Sequence, residues 1–255
     1  MPRDPTQRFS DRVANYIKYR PGYPAELINL LRNKCQLTQS SIIADIGSGT
    51  GILTRPLLGN GYAVFGVEPN REMREAGEDL LRGYDHFTSI DGSAESTTLP
   101  DQSVDLITAG QAFHWFNRKK TKSEFLRILR QGGWIALIWN ERLITSSPFL
   151  AAYEKLLQDY APEYILVDHR NVNDDKLKEF FAPEFYETAT FPNHQDFDYE
   201  GLEGRLLSSS YVPNLGDPNS LPMVAELQRI YAKYKVDGKV RIEHMTRIHY
   251  AQIAK

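Results

Sequence analysis

A glycine-rich turn follows the first apolar run of the chain, and its spacing suits ligand binding. Gly47, Gly49 and Gly51 alternate directly after the apolar run 42–46, and a helical pattern follows them. Where a strand passes into a helix, backbone N–H groups at the helix N-terminus can face a polar or anionic ligand. Alternating glycines let the backbone come close to that ligand without side-chain clashes. Asp45 adds a carboxylate just before the turn, so the expected chemistry is recognition of a polar ligand.

The second apolar run, 63–67, is followed by Glu68. A carboxylate at the end of the second strand can accept hydrogen bonds from both ribose hydroxyls of an adenosine. Because Glu68 falls in register with the glycine turn, the two features together predict a nucleoside-containing cofactor. The alternative is a glycine turn with only a structural role.

The glycine spacing disfavours two common nucleotide sites. A dinucleotide fingerprint, G-x-G-x-x-G, needs a third glycine where Ile52 stands, and Gly51 comes one residue early. No G-x-x-x-x-G-K run is present, so a P-loop is unsupported. Asp45 suits a cofactor with a cationic centre and an amino-acid tail better than a pyrophosphate. An NAD-dependent oxidoreductase is therefore disfavoured.

The run Asp45-Ile46-Gly47-Ser48-Gly49-Thr50-Gly51 resembles motif I of class I S-adenosylmethionine-dependent methyltransferases, (D/E)-x-G-x-G-x-G. The resemblance implies methyl transfer from S-adenosyl-L-methionine, with S-adenosyl-L-homocysteine as product and no metal. A binding module or complex subunit that keeps the cofactor site without turnover is the alternative. The residues implied for cofactor contact are Asp45, Gly47, Ser48, Gly49, Thr50, Gly51, Glu68, Pro69, Asn70, Met73, Ser93, Ala94, Glu95, Gln111, Ala112, Tyr19 and Arg20.

The loop after the third predicted strand carries Ser93, Ala94 and Glu95, where the family places contacts to the adenine. Many relatives have an acid just before the alanine, whereas this chain has Ser93. The group that meets the adenine amine is therefore either Asp91 or Glu95.

The segment Ala112-Phe113-His114-Trp115-Phe116 resembles the AxHW-type sequence of the methyltransferase type 11 group. That group includes trans-aconitate methyltransferase-like and quinone-biosynthesis methyltransferase-like small-molecule enzymes. The resemblance puts His114 near the sulfonium, where it is a candidate base or orienting group. The alternative is that His114 packs against the cofactor. The (N/D)-P-P-(Y/F) motif of nucleic-acid amino-methyltransferases is absent from this position.

The N-terminal run 16–24 is rich in tyrosine and resembles segments that close over the cofactor as a lid. Arg20 is a candidate for bidentate pairing with the methionine carboxylate, and tyrosine faces can attract a sulfonium. A surface helix that covers the sheet edge is the alternative for each tyrosine.

The methyl acceptor is predicted to be a small, partly apolar molecule that bears a carboxylate or hydroxyl. Phenol, amine and carboxylic acid remain open, as does O-, N- or C-methylation. Candidate acceptor contacts are Tyr23, His114, Trp115, Arg142 and Tyr211. Further candidate cavity walls are 139–142, Arg205 and the serines 208–210.

Short apolar runs alternate with helical periods, which predicts βαβ units and an α/β fold. Strands are predicted near 42–46, 63–67, 86–90, 104–109, 133–139, 185–191 and 241–253, and helices near 24–35, 51–59, 70–82, 117–130, 148–160, 201–212 and 220–235. Gly132-Gly133 is interpreted as the stop after the fourth helix, and 168–176 as a polar loop. The resemblance implies a Rossmann-like seven-stranded sheet, mostly parallel, with an antiparallel C-terminal edge hairpin and helices on both faces.

One methyltransferase domain is predicted over 1–255. It comprises an N-terminal helical lid at 1–40, a cofactor-binding core at 41–143, and C-terminal strands with a helical substrate-covering insertion at 144–255.

The composition argues against several classes of protein. A net charge of −3 over 255 residues offers no basic footprint for nucleic acid or an anionic membrane. Apolar runs are too short to span a bilayer, since about 20 residues are needed. Cys35 is the only cysteine, the N-terminus lacks a signal-peptide core, and no metal-ligand spacing occurs. We therefore expect a cytoplasmic monomer or homodimer.

Overall fold

The computed structural model describes residues 12–161, 163–164, 172–213 and 216–254. The first residues of the predicted lid, 1–11, and the first part of the predicted polar loop, 168–171, lie outside this range. Within it, seven strands form one sheet in the order β3-β2-β1-β4-β5-β7-β6. The strands are β1 Ile42–Ile46, β2 Ala63–Val67, β3 Phe87–Ile90, β4 Val104–Gly110, β5 Leu129–Arg142, β6 Glu187–Phe197 and β7 Val240–Gln252.

The first five strands are parallel, and β7 runs antiparallel to both β5 and β6. The strand order reverses between β1 and β4, because β2 and β3 extend to one side and β4 and β5 to the other. In open parallel sheets, ligands bind outside the carboxyl ends of the strands at this switch point. The fold confirms the Rossmann-like seven-stranded sheet with antiparallel C-terminal strands, and it places Asp45 at the switch point.

Helices cover both faces of the sheet, and polar side chains cap several of them. Asn70 and Asn117 each accept a hydrogen bond from a first-turn backbone N–H, at the start of α4 and α5 respectively. The helices are α1 Val13–Tyr19, α2 Ala25–Lys34, α3 Thr54–Gly59, α4 Arg71–Leu81, α5 Arg118–Ile128, α6 Pro148–Tyr160, α7 Asp174–Phe181, α8 Tyr199–Leu207 and α9 Ser220–Tyr234.

The buried apolar side chains form three clusters. One lies on the sheet face covered by α5 and α7, and another on the face covered by α2 and α3. The third joins α6, α8 and α9 to Tyr19 at the end of α1. The C-terminal helices therefore have their own core, which the first described helix completes.

The predicted stop of the fourth helix was wrong. Helix α5 ends at Ile128, and β5 begins at the next residue, so Gly132 and Gly133 lie within a strand. A Cβ on Gly133 would lie 2.9 Å from the carbonyl oxygen of Asp105. Close packing of β5 against β4 explains this glycine.

The predicted polar loop near 168–176 was wrong over its described part. Asn173 accepts a hydrogen bond from Lys176 N–H and begins α7, and Leu177, Phe180 and Phe181 are buried on that helix. Asn and Asp are as typical of a helix N-terminus as of a loop, so composition alone does not distinguish the two.

The strand predicted near 185–191 begins at Glu187 and continues to Phe197. Phe185, which the aromatic content placed in the strand, is 99% exposed. The strand extends further because each of its residues from Glu187 to Phe197 pairs with β7.

Candidate active site

The glycine turn after β1 is held in a conformation that requires glycine. Gly47 and Gly49 have φ values of 69° and 57°, in the left-handed region. The N–H of Gly47 donates to the carbonyl of Val67, 2.8 Å away. A Cβ at Gly47 would lie 2.6 Å from Cβ of Ala112, so any side chain there would displace the neighbouring loop. The turn is therefore a cradle that a side chain would fill.

Glu68 is fixed across this turn by two backbone hydrogen bonds. Its Oε2 accepts from Gly49 N–H at 2.9 Å, and its Oε1 accepts from Asn70 N–H at 2.8 Å. Burial raises the pKa of Glu68, although both N–H groups favour the carboxylate. Each carboxylate oxygen has two lone pairs. Glu68 is thus oriented by the backbone and can still accept further hydrogen bonds.

Asp45 is buried at the end of β1 and is held by two hydroxyl groups. Thr54 Oγ1 donates to its Oδ2 at 2.7 Å, and Thr108 Oγ1 donates to its Oδ1 at 2.9 Å. Burial raises the pKa of Asp45 to about 6, against the opposing effect of these hydrogen bonds. Sequence spacing did not indicate either threonine, because Thr108 lies on β4 and Thr54 on α3, away from the glycine turn.

Two adjoining cavities open at the carboxyl ends of β1, β2 and β4. The first, here called the glycine-loop cavity, is lined by Tyr16, Gly47, Gly49, Glu68, Pro69, Asn70, Met73, Ser93, Ala94, Glu95, Gly110, Gln111, Ala112, Trp115 and Phe116. The second, here called the arginine cavity, is lined by Tyr16, Arg20, Pro21, Tyr23, Asp45, Gly47, Ser48, Ile52, Leu53, Gly110, Gln111, Asn140 and Arg205. The two cavities lie side by side and share the walls formed by Tyr16, Gly47, Gly110 and Gln111. Most of the residues predicted for cofactor contact line one cavity or the other.

Thr50 and Gly51 do not line either cavity. They line a neighbouring surface groove beside α3 and α4, which shares Arg20, Tyr23 and Ile52 with the arginine cavity. A Cβ at Gly51 would lie 2.7 Å from Cδ1 of Leu81. Gly51 therefore permits close packing of the turn against α4, and its place in the motif is explained by packing.

Helix α1 presents Tyr16, and not Tyr19, to the cavities. Tyr16 lines both cavities, and the Arg20 guanidinium lies 5.0 Å from the centre of its ring. Tyr19 instead packs against Phe197, with ring centres 6.5 Å apart, in the C-terminal core. Residues four apart share a helix face. The spacing from Arg20 could therefore have identified Tyr16 from the sequence.

The two acidic residues of the loop after β3, Asp91 and Glu95, have different surroundings. Glu95 lines the glycine-loop cavity, and its Oε1 accepts from Asn117 N–H at 2.7 Å. Asp91 is mostly exposed and pairs with Arg74 at 3.1 Å. Of the two candidates for meeting the adenine amine, the structure brings Glu95 to the cavity.

The loop after β4 places Gln111 and Trp115 on the glycine-loop cavity. Gln111 has a φ of 57°, and its Nε2 donates to the carbonyl of Asn140 at 3.0 Å. His114 lies on the 3₁₀ turn Phe113–Trp115, and its ring centre is 4.7 Å from that of Trp115. In the described structure, His114 is not on the wall of either cavity, so its role as a base remains a prediction.

Besides His114, two further residues predicted for acceptor contact, Arg142 and Tyr211, lie outside both cavities. Arg142 Nη2 donates to Glu154 at 2.5 Å and to Tyr164 at 3.0 Å. The ring of Tyr211 stands 5.0 Å from that of Tyr164. Tyr23 and Trp115, by contrast, do line a cavity wall.

The sequence pattern predicts Arg205 only as a possible cavity wall, yet it is the most buried cation of the site. It is 7% exposed, and among the described residues its Nη1 reaches only the hydroxyls of Ser208 and Ser209, at 3.5 and 3.3 Å. Burial, and then the charge of Arg20, lower the pKa of Arg205 to about 10. The residue lies on α8, which follows the core in sequence by many residues, so only the fold could bring it here.

Within the described residues, no group of three or more His, Cys, Asp or Glu side chains is arranged to hold a metal ion. None of the helices in the described part of the chain has the length and apolar character needed to cross a membrane.

Comparisons with known proteins agree with this geometry. A family model described as methyltransferase domain matches residues 44–137. An uncharacterized methyltransferase-like protein of Schizosaccharomyces pombe is 29% identical over 232 residues, covering 87% of this chain and 85% of the relative. A solved structure from Anaeromyxobacter dehalogenans, assigned to the type II methyltransferases, superposes with a TM-score of 0.69 at 21% identity, covering 92% of this chain and 99% of that chain.

Phosphoethanolamine N-methyltransferase 2 of Haemonchus contortus, solved with phosphomonomethylethanolamine and S-adenosylhomocysteine, superposes with a TM-score of 0.58 at 15% identity. This match covers 99% of the present chain and 59% of that chain. At such identities the structural likeness bears on the fold alone. The family match, the related sequence and the glycine turn agree with one another, and they identify residues 44–137 as a methyltransferase domain of the S-adenosylmethionine-dependent kind.

Proposed function

We propose that the protein transfers the methyl group of S-adenosylmethionine to a small-molecule acceptor. The observation that carries this proposal is that two differently built cavities lie side by side at the switch point of the sheet and share wall residues. One has the glycine cradle and Glu68, and the other is enclosed by α1 and α8 with Arg20 and Arg205 on its walls. The glycine-loop cavity suits a nucleoside, and the arginine cavity provides an enclosed space beside that nucleoside.

The residues of the glycine-loop cavity fit the donor. The left-handed turn at Gly47 and Gly49 leaves room for a ligand against the backbone. Glu68 would accept hydrogen bonds from the ribose hydroxyls with the lone pairs that its two backbone partners leave. Ser93, Ala94 and Glu95 would border the adenine.

The amino-acid end of the donor would lie in the arginine cavity. Asp45 would face the cationic groups, and Arg20 would pair with the carboxylate. When bound, S-adenosylmethionine supplies a methyl carbon that the sulfonium already activates. The protein's contribution would be alignment and exclusion of water, which is worth up to ~7–11 kcal/mol in favourable cases.

The enclosed position of the arginine cavity favours a small acceptor. Tyr16, Tyr23 and Arg205 enclose it between α1, β4 and α8, and burial raises the pKa of both tyrosines. A polymer would have to displace these side chains. The net charge of −3 also provides no electrostatic attraction for a nucleic-acid backbone.

Ligand retention tests the proposal directly. The protein would be incubated separately with radiolabelled S-adenosylmethionine and with labelled NAD, and the retained ligand measured after gel filtration. We expect the methyl donor to be retained and NAD to be lost. Retention of NAD alone would contradict the donor assignment. Mass spectrometry of any ligand that co-purifies is the complementary measurement.

The small-molecule part of the proposal has its own test. A labelled methyl donor would be incubated with the protein and either a low-molecular-weight cell extract or bulk tRNA and DNA. We expect label to enter the extract fraction and not the nucleic acids. Salt-sensitive submicromolar binding to nucleic acid in a filter assay would contradict a small-molecule acceptor. Tight donor binding with no transfer to either fraction would favour a binding module.

A further inference from the structure

Arg205 and Arg20 are two guanidinium groups that have no acidic partner in the described part of the chain. Both line the arginine cavity, and among the described residues neither forms an ion pair with a carboxylate. Arg20 Nη2 donates to the carbonyl of Ser208 at 2.8 Å, and Arg205 reaches only serine hydroxyls. The Nε atoms of both residues are buried without a hydrogen-bond acceptor in the described structure.

Another buried arginine of the same region shows that the fold can satisfy such groups. Arg142 is 11% exposed at its side chain and pairs with Glu154, which is 10% exposed, while its guanidinium lies 5.1 Å from the ring centre of Tyr153. Buried charges ordinarily have such partners, because an unpaired one is costly. No acid within the described ranges pairs with Arg205, and this feature of the cavity requires an explanation.

The bound donor can satisfy only one of the two arginines. S-adenosylmethionine carries one carboxylate, together with a sulfonium and an ammonium group. The cavity walls themselves contribute the carboxylates of Asp45, Glu68 and Glu95 and the guanidinium groups of Arg20 and Arg205. Both oxygens of Asp45 and of Glu68 already accept hydrogen bonds, and Glu95 accepts one from Asn117 N–H. None of these three carboxylates forms an ion pair with Arg205, so an anionic group on a second ligand would neutralise it.

We infer that Arg205 binds an anionic oxygen group, a carboxylate or a phosphate, on the methyl acceptor. Arg20 is left to the methionine carboxylate, and Arg205 selects and orients the acceptor by its charge. This inference rests on the proposed function, because it names the class of acceptor for the same site. Guanidinium groups suit both anions, since their planar donors match two oxygens at once.

The first test uses the smallest anions that carry these groups. The melting temperature of the protein, saturated with S-adenosylhomocysteine, would be followed while sodium acetate or sodium phosphate replaces sodium chloride at constant ionic strength. Saturation occupies the place of the methionine carboxylate, so only the acceptor place remains. At about ten times its dissociation constant, the bound anion should raise the melting temperature by roughly 3–6 °C. Acetamide, which is neutral, should have no effect.

Two variants separate the site from general salt effects. Arg205→Met removes the guanidinium but keeps an unbranched apolar side chain, and should abolish the anion-dependent rise. Arg241→Met makes the same charge change at a partly exposed arginine paired with Asp196, and should keep the rise. Relief of the unpaired buried charge should also make Arg205→Met at least as stable as the parent protein in chloride.

The donor itself provides the second test. Calorimetry would compare S-adenosylhomocysteine with 5′-methylthioadenosine, which lacks the amino-acid end. Arg205→Met should bind both within about twofold of the parent protein. A loss of more than tenfold for S-adenosylhomocysteine alone would place the methionine carboxylate on Arg205 and overturn the acceptor role.

The remaining outcomes distinguish this inference from the proposed function. If the parent protein binds S-adenosylhomocysteine but neither acetate nor phosphate raises its melting temperature beyond chloride, the inference is wrong and the proposed function stands. If the parent protein binds no S-adenosylhomocysteine, the proposed function fails and the inference falls with it. Equal anion effects in Arg205→Met and Arg241→Met would also overturn the inference.

Discussion

The two cavities of the site differ in how their buried charges are satisfied. In the glycine-loop cavity, both oxygens of Glu68 accept backbone hydrogen bonds. In the arginine cavity, Asp45 accepts hydrogen bonds from two threonine hydroxyls, but Arg205 reaches only two serine hydroxyls among the described residues, at 3.3 and 3.5 Å. The carboxylates are oriented before any ligand arrives, whereas the guanidinium lacks strong acceptors.

This difference indicates which part of the site is complete without its ligand. Fixed carboxylates cost no reorganisation when a ligand binds, which is the basis of preorganised recognition. An unpaired buried cation gains most when an anion arrives. We therefore expect changes in the glycine-loop cavity to alter donor affinity, and changes around Arg205 to alter acceptor selection.

The largest effect is expected from Gly47→Ala. An L-residue in the left-handed region costs about 1–2 kcal/mol, and the new Cβ would also displace Ala112. The distorted cradle should lower the affinity for S-adenosylhomocysteine by roughly 100-fold, at about 1.4 kcal/mol per tenfold. Calorimetry measures the loss. Gly59→Ala, where a Cβ would meet no atom within 4 Å, is the control and should bind normally.

Glu68→Ala should have the next largest effect. Hydrogen bonds to a charged group contribute about 1.5–3 kcal/mol, so affinity for the donor product should fall roughly 10- to 150-fold. The exposed Glu75 on α4 pairs with Arg71, and Glu75→Ala is the matched control. Unchanged affinity in a folded Glu68→Ala protein would remove the ribose contact from the account.

The charge of Asp45 predicts a pH dependence of donor binding. Since its pKa is raised to about 6 from an ordinary 3.8, donor affinity should decline as the pH falls through about 6. The same shift makes the folded protein gain stability from Asp45 as the pH falls from above 6 towards 3.8, so protonation of Asp45 does not itself favour unfolding. Calorimetry from pH 5 to 8 checks this. The Asp45→Asn protein should bind the donor weakly, and its affinity should not decline as the pH falls through about 6. An identical decline in both proteins would assign the pH dependence to another group.

The smallest effect is expected from His114→Ala. A general base contributes roughly 10²–10⁴-fold to turnover, but the imidazole lies against Trp115 and off both cavity walls. If positioning alone drives transfer, turnover should fall less than about tenfold at unchanged donor affinity. Single-turnover kinetics with an identified acceptor measures this, and a loss of 100-fold or more would restore His114 as the base.

Sequence patterns located the glycine-loop cavity because its parts are short and local. The turn at Gly47–Gly51 and the carboxylate of Glu68 each follow directly from an adjacent apolar run. The prediction of Tyr19 was wrong, because the helix phase relative to Arg20 places Tyr16 on the cavity side. Helix phase is also local information. Most of the residues that line the glycine-loop cavity can therefore be predicted from local sequence patterns.

The arginine cavity was less accessible to sequence reasoning because it depends on contacts across the chain. Arg20 meets the end of α8 through the Ser208 carbonyl, 188 residues away, and Arg205 stands out only through its burial. The capping Asn173 was likewise hidden within a polar run. Packing between distant helices decides these positions, and no spacing in the sequence encodes it.

A crystal structure of the protein with S-adenosylhomocysteine would test the central claim most directly. We predict that the ribose hydroxyls will lie within hydrogen-bond distance of Glu68 and that the methionine carboxylate will pair with Arg20, leaving the guanidinium of Arg205 open. A nucleoside bound away from Glu68 would contradict the account of the glycine-loop cavity. A methionine carboxylate paired with Arg205 would contradict the division between the two cavities.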